Sequence, residues 1–130
     1  MKVQVVVENG NVLSTSFANG KRHDFRILKE SKLPLQKSTI VEVDLGYQGI
    51  KKYHDNSSIP HKKTKKNPLT MEQKNQNKEQ ASSRVEVEHV FASIKRFKII
   101  SQKYRNRRRR FGLRFNLISA IHNLEWNAKL

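Results

Sequence analysis

The feature that most constrains this chain is the stretch 84–98, which reads RVEVEHVFASIKRFK. Apolar residues recur there every three or four positions, as they do on the buried side of an amphipathic helix. They are Val87, Val90, Phe91, Ile94 and Phe97. Arg84, Glu88 and Lys95 are spaced by four and seven positions, so they share a second side of the same helix. The sequence therefore predicts a helix that presents one carboxylate between two cations.

The charge balance gives this pattern two interpretations. The chain has a net charge of +16, from 27 Lys and Arg against 11 Asp and Glu. Residues 1–60 hold nine basic and six acidic side chains, and residues 61–130 hold eighteen and five. Such a chain favours polyanionic partners, nucleic acid first and acidic membrane second. Glu88 is then either part of an ordinary surface ion-pair pattern or a metal ligand between two phosphate contacts.

Composition excludes several classes of protein. The chain has no cysteine, so disulfides and thiolate metal sites are ruled out. It has no apolar run long enough to span a membrane and no signal-peptide pattern. At 130 residues it is long enough for one domain with a modest core. We expect a soluble, cytoplasmic protein.

The first half reads as strands and short helices. Residues 2–8 and 11–18 predict two strands joined by the tight turn Asn9-Gly10. Residues 23–32 predict a helix, and Asp24 is well placed to cap its N-terminus. Residues 38–45 form a near-continuous apolar run, which predicts a strand buried in the middle of a sheet. The chain begins inside a strand, so we expect a preceding strand to be missing.

Asp44 ends that apolar run and is followed by a glycine-rich turn, Gly46 to Gly49. Open α/β sheets place their chemistry at the carboxyl ends of central strands, so Asp44 is a candidate site residue. The other interpretation is that Asp44 caps a short helix over residues 47–54. The spacing leaves both open.

The second half contains two basic segments. Residues 56–68 predict a solvated loop, either merely soluble or a phosphate-contacting arm, with four lysines: Lys62, Lys63, Lys65 and Lys66. Thr70 and Gln73 resemble a capping box that starts a helix running into the 84–98 stretch. Ten Lys and Arg occur from Lys95 to Arg114, which favours nucleic-acid contact. They include Arg105, Arg107, Arg108, Arg109 and Arg110. Residues 111–126 predict an amphipathic helix that covers the sheet or the 84–98 helix. Its pattern consists of Phe115, Leu117, Ile118, Ile121, His122, Leu124 and Trp126.

These motifs together resemble the C-terminal part of a bacterial DDE transposase of the insertion-sequence-five type. The resemblance rests on the runs 19–25 (NGKRHDF), 43–49 (VDLGYQG), 68–70 (PLT) and 104–106 (YRN), and on the Arg84, Glu88, Lys95 spacing. It implies an α/β, ribonuclease-H-like fold with a mixed sheet and C-terminal helices. It also implies that residues 1–130 are one truncated catalytic domain and that 56–68 is a basic loop within it.

The resemblance further implies an enzyme that cleaves and transfers DNA strands with two bound Mg²⁺ or Mn²⁺ ions. Asp44 and Glu88 would be the second and third carboxylates of an Asp, Asp, Glu triad, and Arg84 and Lys95 would contact DNA phosphates. DNA, both transposon ends and target, would be the partner, and the intact enzyme would be an oligomer associated with the bacterial nucleoid.

The sequence departs from the family pattern in two places. The first strand and its catalytic Asp are absent, and Ala81 replaces the Tyr that the family has three residues before Arg84. We therefore expect an incomplete fold, lacking its first strand, that is inactive alone. The chain is then either a decayed gene remnant or one part of a split enzyme in which an upstream transposase polypeptide supplies the missing strand. Asp24 is an auxiliary candidate for the metal site, with a helix cap as the simpler interpretation.

Two other functions remain open from the sequence. One is a non-catalytic, basic nucleic-acid-binding module in which Asp44 and Glu88 only cap and pair. The other is a protein of anionic membrane surfaces, which the small number of large apolar residues in the arginine run disfavours.

Overall fold

A computed structural model describes residues 1–101 and 110–129. The strands are β1 (Lys2–Glu8), β2 (Asn11–Ala18), β3 (Val41–Glu42) and β4 (Ser57–Ser58). The helices are α1 (Asp24–Ser31), α2 (Ile50–Tyr53), α3 (Met71–Lys95), α4 (Lys98–Ser101) and α5 (Phe111–Ala128), with a 3-10 helix at Leu45–Tyr47. The prediction of an α/β chain with C-terminal helices is confirmed. In the described residues no helix is long and apolar enough to cross a membrane.

The chain forms two compact units. The first unit comprises Met1–Gly20 and Val85–Leu130, and the second comprises Lys21–Arg84. Each unit contains one two-stranded sheet, antiparallel β1-β2 in the first and parallel β3-β4 in the second.

The first unit is built on the predicted hairpin. β1 and β2 pair from Lys2 opposite Ala18 to Glu8 opposite Asn11. Asn9 and Gly10 both have positive φ, 50° and 78°, as the tight hairpin turn requires. Gly10 has a second reason to be glycine, since a Cβ there would lie 2.3 Å from the Trp126 ring.

The core of the first unit lies between the hairpin, α3 and α5. Its buried side chains are Val90, Ile94, Ile100, Phe115 and Ile118. Alternate β1 residues, Val3, Val5 and Val7, pack against them. Phe17 packs edge-on to Phe115, with 5.8 Å between ring centroids. The predicted apolar side of the 84–98 helix is therefore confirmed, although α3 ends at Lys95.

α5 confirms the predicted C-terminal helix but corrects part of its apolar side. Phe115, Ile118 and His122 are buried as expected. Leu117, Ile121 and Leu124 were assigned to the same amphipathic pattern, but they are 57%, 40% and 74% exposed. The helix is apolar on two sides, and one side alone faces the core.

α3 starts at the predicted capping box. The Gln73 backbone N–H donates to Thr70 Oγ1 at 3.2 Å, and the Thr70 N–H donates to Gln73 Oε1 at 3.1 Å. The helix then runs without interruption to Lys95.

The second unit corrects the prediction of a long buried strand over residues 38–45. β3 is two residues long and, among the residues that the structure describes, pairs with β4 alone, so no further described strand covers the apolar run. Ile40 is 69% exposed as a result. The short strand β4 also falls inside the segment 56–68, which was predicted to lack a packed element.

Candidate functional site

Asp44 directs its carboxylate back onto the turn that follows it. It is the N-cap of the 3-10 helix, and its Oδ1 accepts a hydrogen bond from the Gly46 N–H at 2.9 Å. The capping interpretation is therefore correct, although the helix it caps is Leu45–Tyr47. The predicted helix over 47–54 is divided, because Gly49 has φ of 93° and α2 begins after it. The bond from the Gly46 N–H engages Oδ1, and a carboxylate has further acceptor sites on both of its oxygens.

Asp24 lies against the same turn. It is in the first turn of α1, and the N-cap of α1 is His23, which makes no side-chain cap bond. The prediction that Asp24 caps this helix was wrong. A Cβ at Gly46 would lie 2.2 Å from Asp24 Oδ2 and 3.1 Å from Asp44 Oδ1. Those two carboxylate oxygens are therefore no farther apart than the sum of the two distances, and a Cβ at position 46 would require the Asp24 carboxylate to move.

The pKa of Tyr47 responds to the charge of both carboxylates. Burial raises the pKa of Tyr47 to about 12, and the negative charges of Asp24 and then Asp44 add to the effect. Its phenol therefore stays protonated at neutral pH. Asp24 on α1 and Asp44 in the turn thus place two negative charges near the same phenol in a chain whose net charge is strongly positive.

This pair of carboxylates offers hard oxygen ligands, the type that Mg²⁺ and Mn²⁺ prefer. Two oxygens bound to one Mg²⁺ lie at most about 4 Å apart, a separation that the geometry around Gly46 permits. In the described part of the chain no cluster of three or more His, Asp or Glu side chains could hold a metal ion. Asp24 and Asp44 fit such an ion as a partial ligand set.

Glu88 and its two flanking cations are all exposed on α3. Glu88 and Lys95 belong to the first unit, and Arg84 is the last residue of the second. The ammonium of Lys95 lies 5.6 Å from the centre of the Phe91 ring, a cation–π distance. Each of these side chains is accessible to a ligand from solvent.

The lysine-rich loop is held in place by α3. The amide of Asn77 bonds both backbone groups of His61, accepting from its N–H at 2.8 Å and donating to its carbonyl at 3.1 Å. His61 Nε2 also lies 2.6 Å from Gln76 Oε1. The Asn67 N–H donates to Thr64 Oγ1 at 3.0 Å, which closes the tip of the loop.

Four exposed lysines surround that tip: Lys62, Lys63, Lys65 and Lys66. The sequence predicted their exposure but missed the anchoring by Asn77. A capping box shows where α3 begins, but nothing in the local pattern indicates which of its amides reaches the loop.

Most of the predicted arginine run, Arg105, Arg107, Arg108 and Arg109, lies outside the described residues. Arg110 is described, exposed, and occupies the N-cap of α5 with φ of 67°. Arg96, earlier in the basic segment, forms an ion pair with Glu125.

Comparison with known proteins identifies the family. Residues 1–124 match the family described as Transposase DDE domain. The chain belongs to the DDE transposase family. It is also 43% identical, over 127 residues, to a protein from Microchaete diplosiphon described as a probable transposase for insertion sequence element IS702. That alignment covers 96% of this chain and 46% of the relative. No solved structure matches the chain.

The DDE transposase chain thus spans about half the length of its relative. Within that half, the second unit brings Asp24 and Asp44 together at the Gly46 turn. The sequence predicted Asp24 as an auxiliary residue because it follows the hairpin at the start of the first helix. The spacing of the motifs did not predict that Asp24 lies close to Asp44.

Proposed function

We propose that this chain supplies Asp44 and Glu88 as the second and third carboxylates of a DDE transposase active site. The family match over residues 1–124 supports this role, and the observation that carries the metal assignment is the convergence of Asp24 and Asp44 on Gly46. The complete enzyme would cleave and transfer DNA strands. Since the chain spans 46% of its relative, we further propose that polypeptide outside this chain supplies the first catalytic Asp.

We propose a ribonuclease-H-like fold for the complete domain, of the kind found in the insertion-sequence-five class. The order of elements supports it, namely an antiparallel hairpin, a helix, and then two parallel strands joined through α2.

Each proposed residue has a physical role at the scissile phosphate. Asp44 and Glu88 would hold Mg²⁺ or Mn²⁺, with Asp24 as an auxiliary ligand on the Asp44 side. Bound divalent ions would supply Lewis-acid stabilisation of the negative charge that builds on the phosphoryl oxygens. Arg84 and Lys95 would contact DNA phosphates through charge-assisted hydrogen bonds. The lysines of the 56–68 loop, together with Arg105 and Arg107 to Arg110, would track the DNA backbone.

The first prediction concerns metal binding by the turn. Mn²⁺ should raise the free energy of unfolding of the chain by about 1–3 kcal/mol at 10–100 times its dissociation constant. Asp44→Asn should abolish this stabilisation, because it removes the central ligand, and Asp24→Asn should weaken it. Thermal unfolding with and without Mn²⁺ measures the shift, and electron paramagnetic resonance of free Mn²⁺ measures binding directly.

Asp55→Asn is the matched control, since Asp55 is an exposed carboxylate in the same unit. It should bind Mn²⁺ as the unaltered chain does. Equal losses in Asp55→Asn and Asp44→Asn would show that Mn²⁺ responds only to overall charge. An unaltered chain that binds no Mn²⁺ would contradict the metal assignment and favour a non-catalytic DNA-binding module.

A further inference from the structure

α5 carries a second apolar surface that the described residues leave exposed. Leu113, Leu117, Ile121 and Leu124 are 59%, 57%, 40% and 74% exposed. They are spaced by four, four and three positions, so they form one stripe along the helix. We call these four residues the leucine stripe. Arg114 and Glu125 are the only Asp, Glu, Lys or Arg residues of α5. A helix that is apolar on most of its circumference is normally covered on both sides.

We propose that the leucine stripe is an interface between two copies of this chain, with their α5 helices packed antiparallel. The stripe is symmetric about its own centre, near position 119. A two-fold axis there places Leu113 opposite Leu124 of the second copy and Leu117 opposite Ile121 of the second copy. A two-fold interface between identical copies requires such self-complementarity. If a residue of one copy contacts a second residue of the other, the reverse contact also forms.

The charges of α5 select the same arrangement. On a helix, Arg114 and Glu125 fall about 20° apart around the axis and flank the same edge of the leucine stripe. Antiparallel packing brings Arg114 of each copy to Glu125 of the other. It therefore forms two ion pairs, each between a positive and a negative side chain. Parallel packing about a two-fold axis would instead place the Arg114 and Glu125 edge of one copy on the opposite side of the interface from that of the other, so neither ion pair would form. Glu125 already pairs with Arg96, and a carboxylate can accept a second donor.

Sedimentation equilibrium of the full chain, freed of nucleic acid, tests whether it associates. The weight-average mass should rise with concentration from 15.2 kDa towards twice that value. Leu117→Glu should weaken association about tenfold or more, because it buries two carboxylates in each dimer. Leu13→Glu is the matched control, since Leu13 is 58% exposed but lies on β2. A chain that stays monomeric, or equal losses in both variants, would overturn the proposal.

Exchanging the charges tests the pairing. Arg114→Glu alone and Glu125→Arg alone each place like charges together, so each should associate more weakly than the unaltered chain. An equimolar mixture of the two restores both opposite-sign pairs in the heterodimer and should recover the association. A mixture that associates no better than either variant would exclude the Arg114–Glu125 contact.

The absence of native cysteine makes the register measurable by cross-linking. Leu117→Cys mixed with Ile121→Cys should form a disulfide-linked heterodimer faster than either variant forms a homodimer. Preferential homodimers of Leu117→Cys would demonstrate parallel packing and overturn the antiparallel arrangement. None of these measurements depends on DNA or metal, so the interface stands or falls separately from the proposed transposase activity.

Discussion

At the scale of single residues, the phenol of Tyr47 reports on the carboxylates around it. A tyrosine in an unfolded chain ionises near pH 10, whereas burial and the charges of Asp24 and Asp44 raise the pKa of Tyr47 to about 12 in the fold. Between these values the folded state keeps a proton that the unfolded state loses. The contribution of Tyr47 to stability is therefore complete below pH 10 and is lost as pH rises to 12.

We predict that Tyr47→Phe flattens the fall in unfolding free energy between pH 10 and 12, with urea unfolding at stepped pH as the measurement.

Asp24→Asn should lower the pKa of Tyr47, because it removes one of the two negative charges. Tyrosinate absorbance would follow this shift. Asp55→Asn provides the comparison with equal change in net charge, and identical titrations for the two Asn variants would show that Asp24 does not act on Tyr47.

At the scale of elements, α5 holds the hairpin through hydrogen bonds to its backbone. Asn123 accepts from the Val12 N–H at 2.8 Å and donates to the Val12 carbonyl at 2.9 Å. His122 Nε2 lies 2.8 Å from the Gly10 carbonyl, and the Trp126 indole N–H donates to the Asn9 carbonyl at 2.8 Å. Covering these groups also keeps part of β2 from pairing with other chains.

Asn123→Ala should destabilise the chain by about 1–3 kcal/mol, since it leaves two half-buried backbone groups of Val12 without a partner. Urea unfolding monitored by circular dichroism measures the difference. Asn127→Ala, an exposed amide one turn later on α5, should change stability by no more than about 0.5 kcal/mol. Equal effects would mean that the loss reflects helix propensity and that the Val12 contact contributes nothing.

These elements also show what the sequence could predict. The Asn9-Gly10 turn and the Thr70–Gln73 capping box were predictable because neighbours in the chain determine them. The exposure of Ile40 was not predictable, because it depends on how many strands join β3. The proximity of Asp24 to Asp44 was likewise not predictable, since it depends on how α1 packs on the 44–47 turn. Asp24 fits a cap by residue type, but His23 occupies that position.

At the scale of the whole molecule, the net charge of +16 predicts that the proposed binding to DNA depends on salt, and the lysine-rich loop should account for a defined part of that dependence. Each phosphate contact that is lost should reduce the slope of log affinity against log salt by about one. Lys65→Gln with Lys66→Gln should therefore reduce it by about two, and Lys62→Gln with Lys63→Gln by a similar amount. Fluorescence anisotropy of labelled duplex DNA at several salt concentrations measures the slope.

Lys51→Gln with Lys52→Gln removes the same charge from α2, outside that loop, and so distinguishes contact from net charge. If the loop holds its lysines against phosphates, as its anchoring by Asn77 favours, the α2 pair should leave the slope nearly unchanged. A long-range field would respond equally to all three pairs, because each lowers the net charge by two. Equal slopes would then assign DNA attraction to the whole basic surface, and the loop would lose its role as a phosphate-contacting arm.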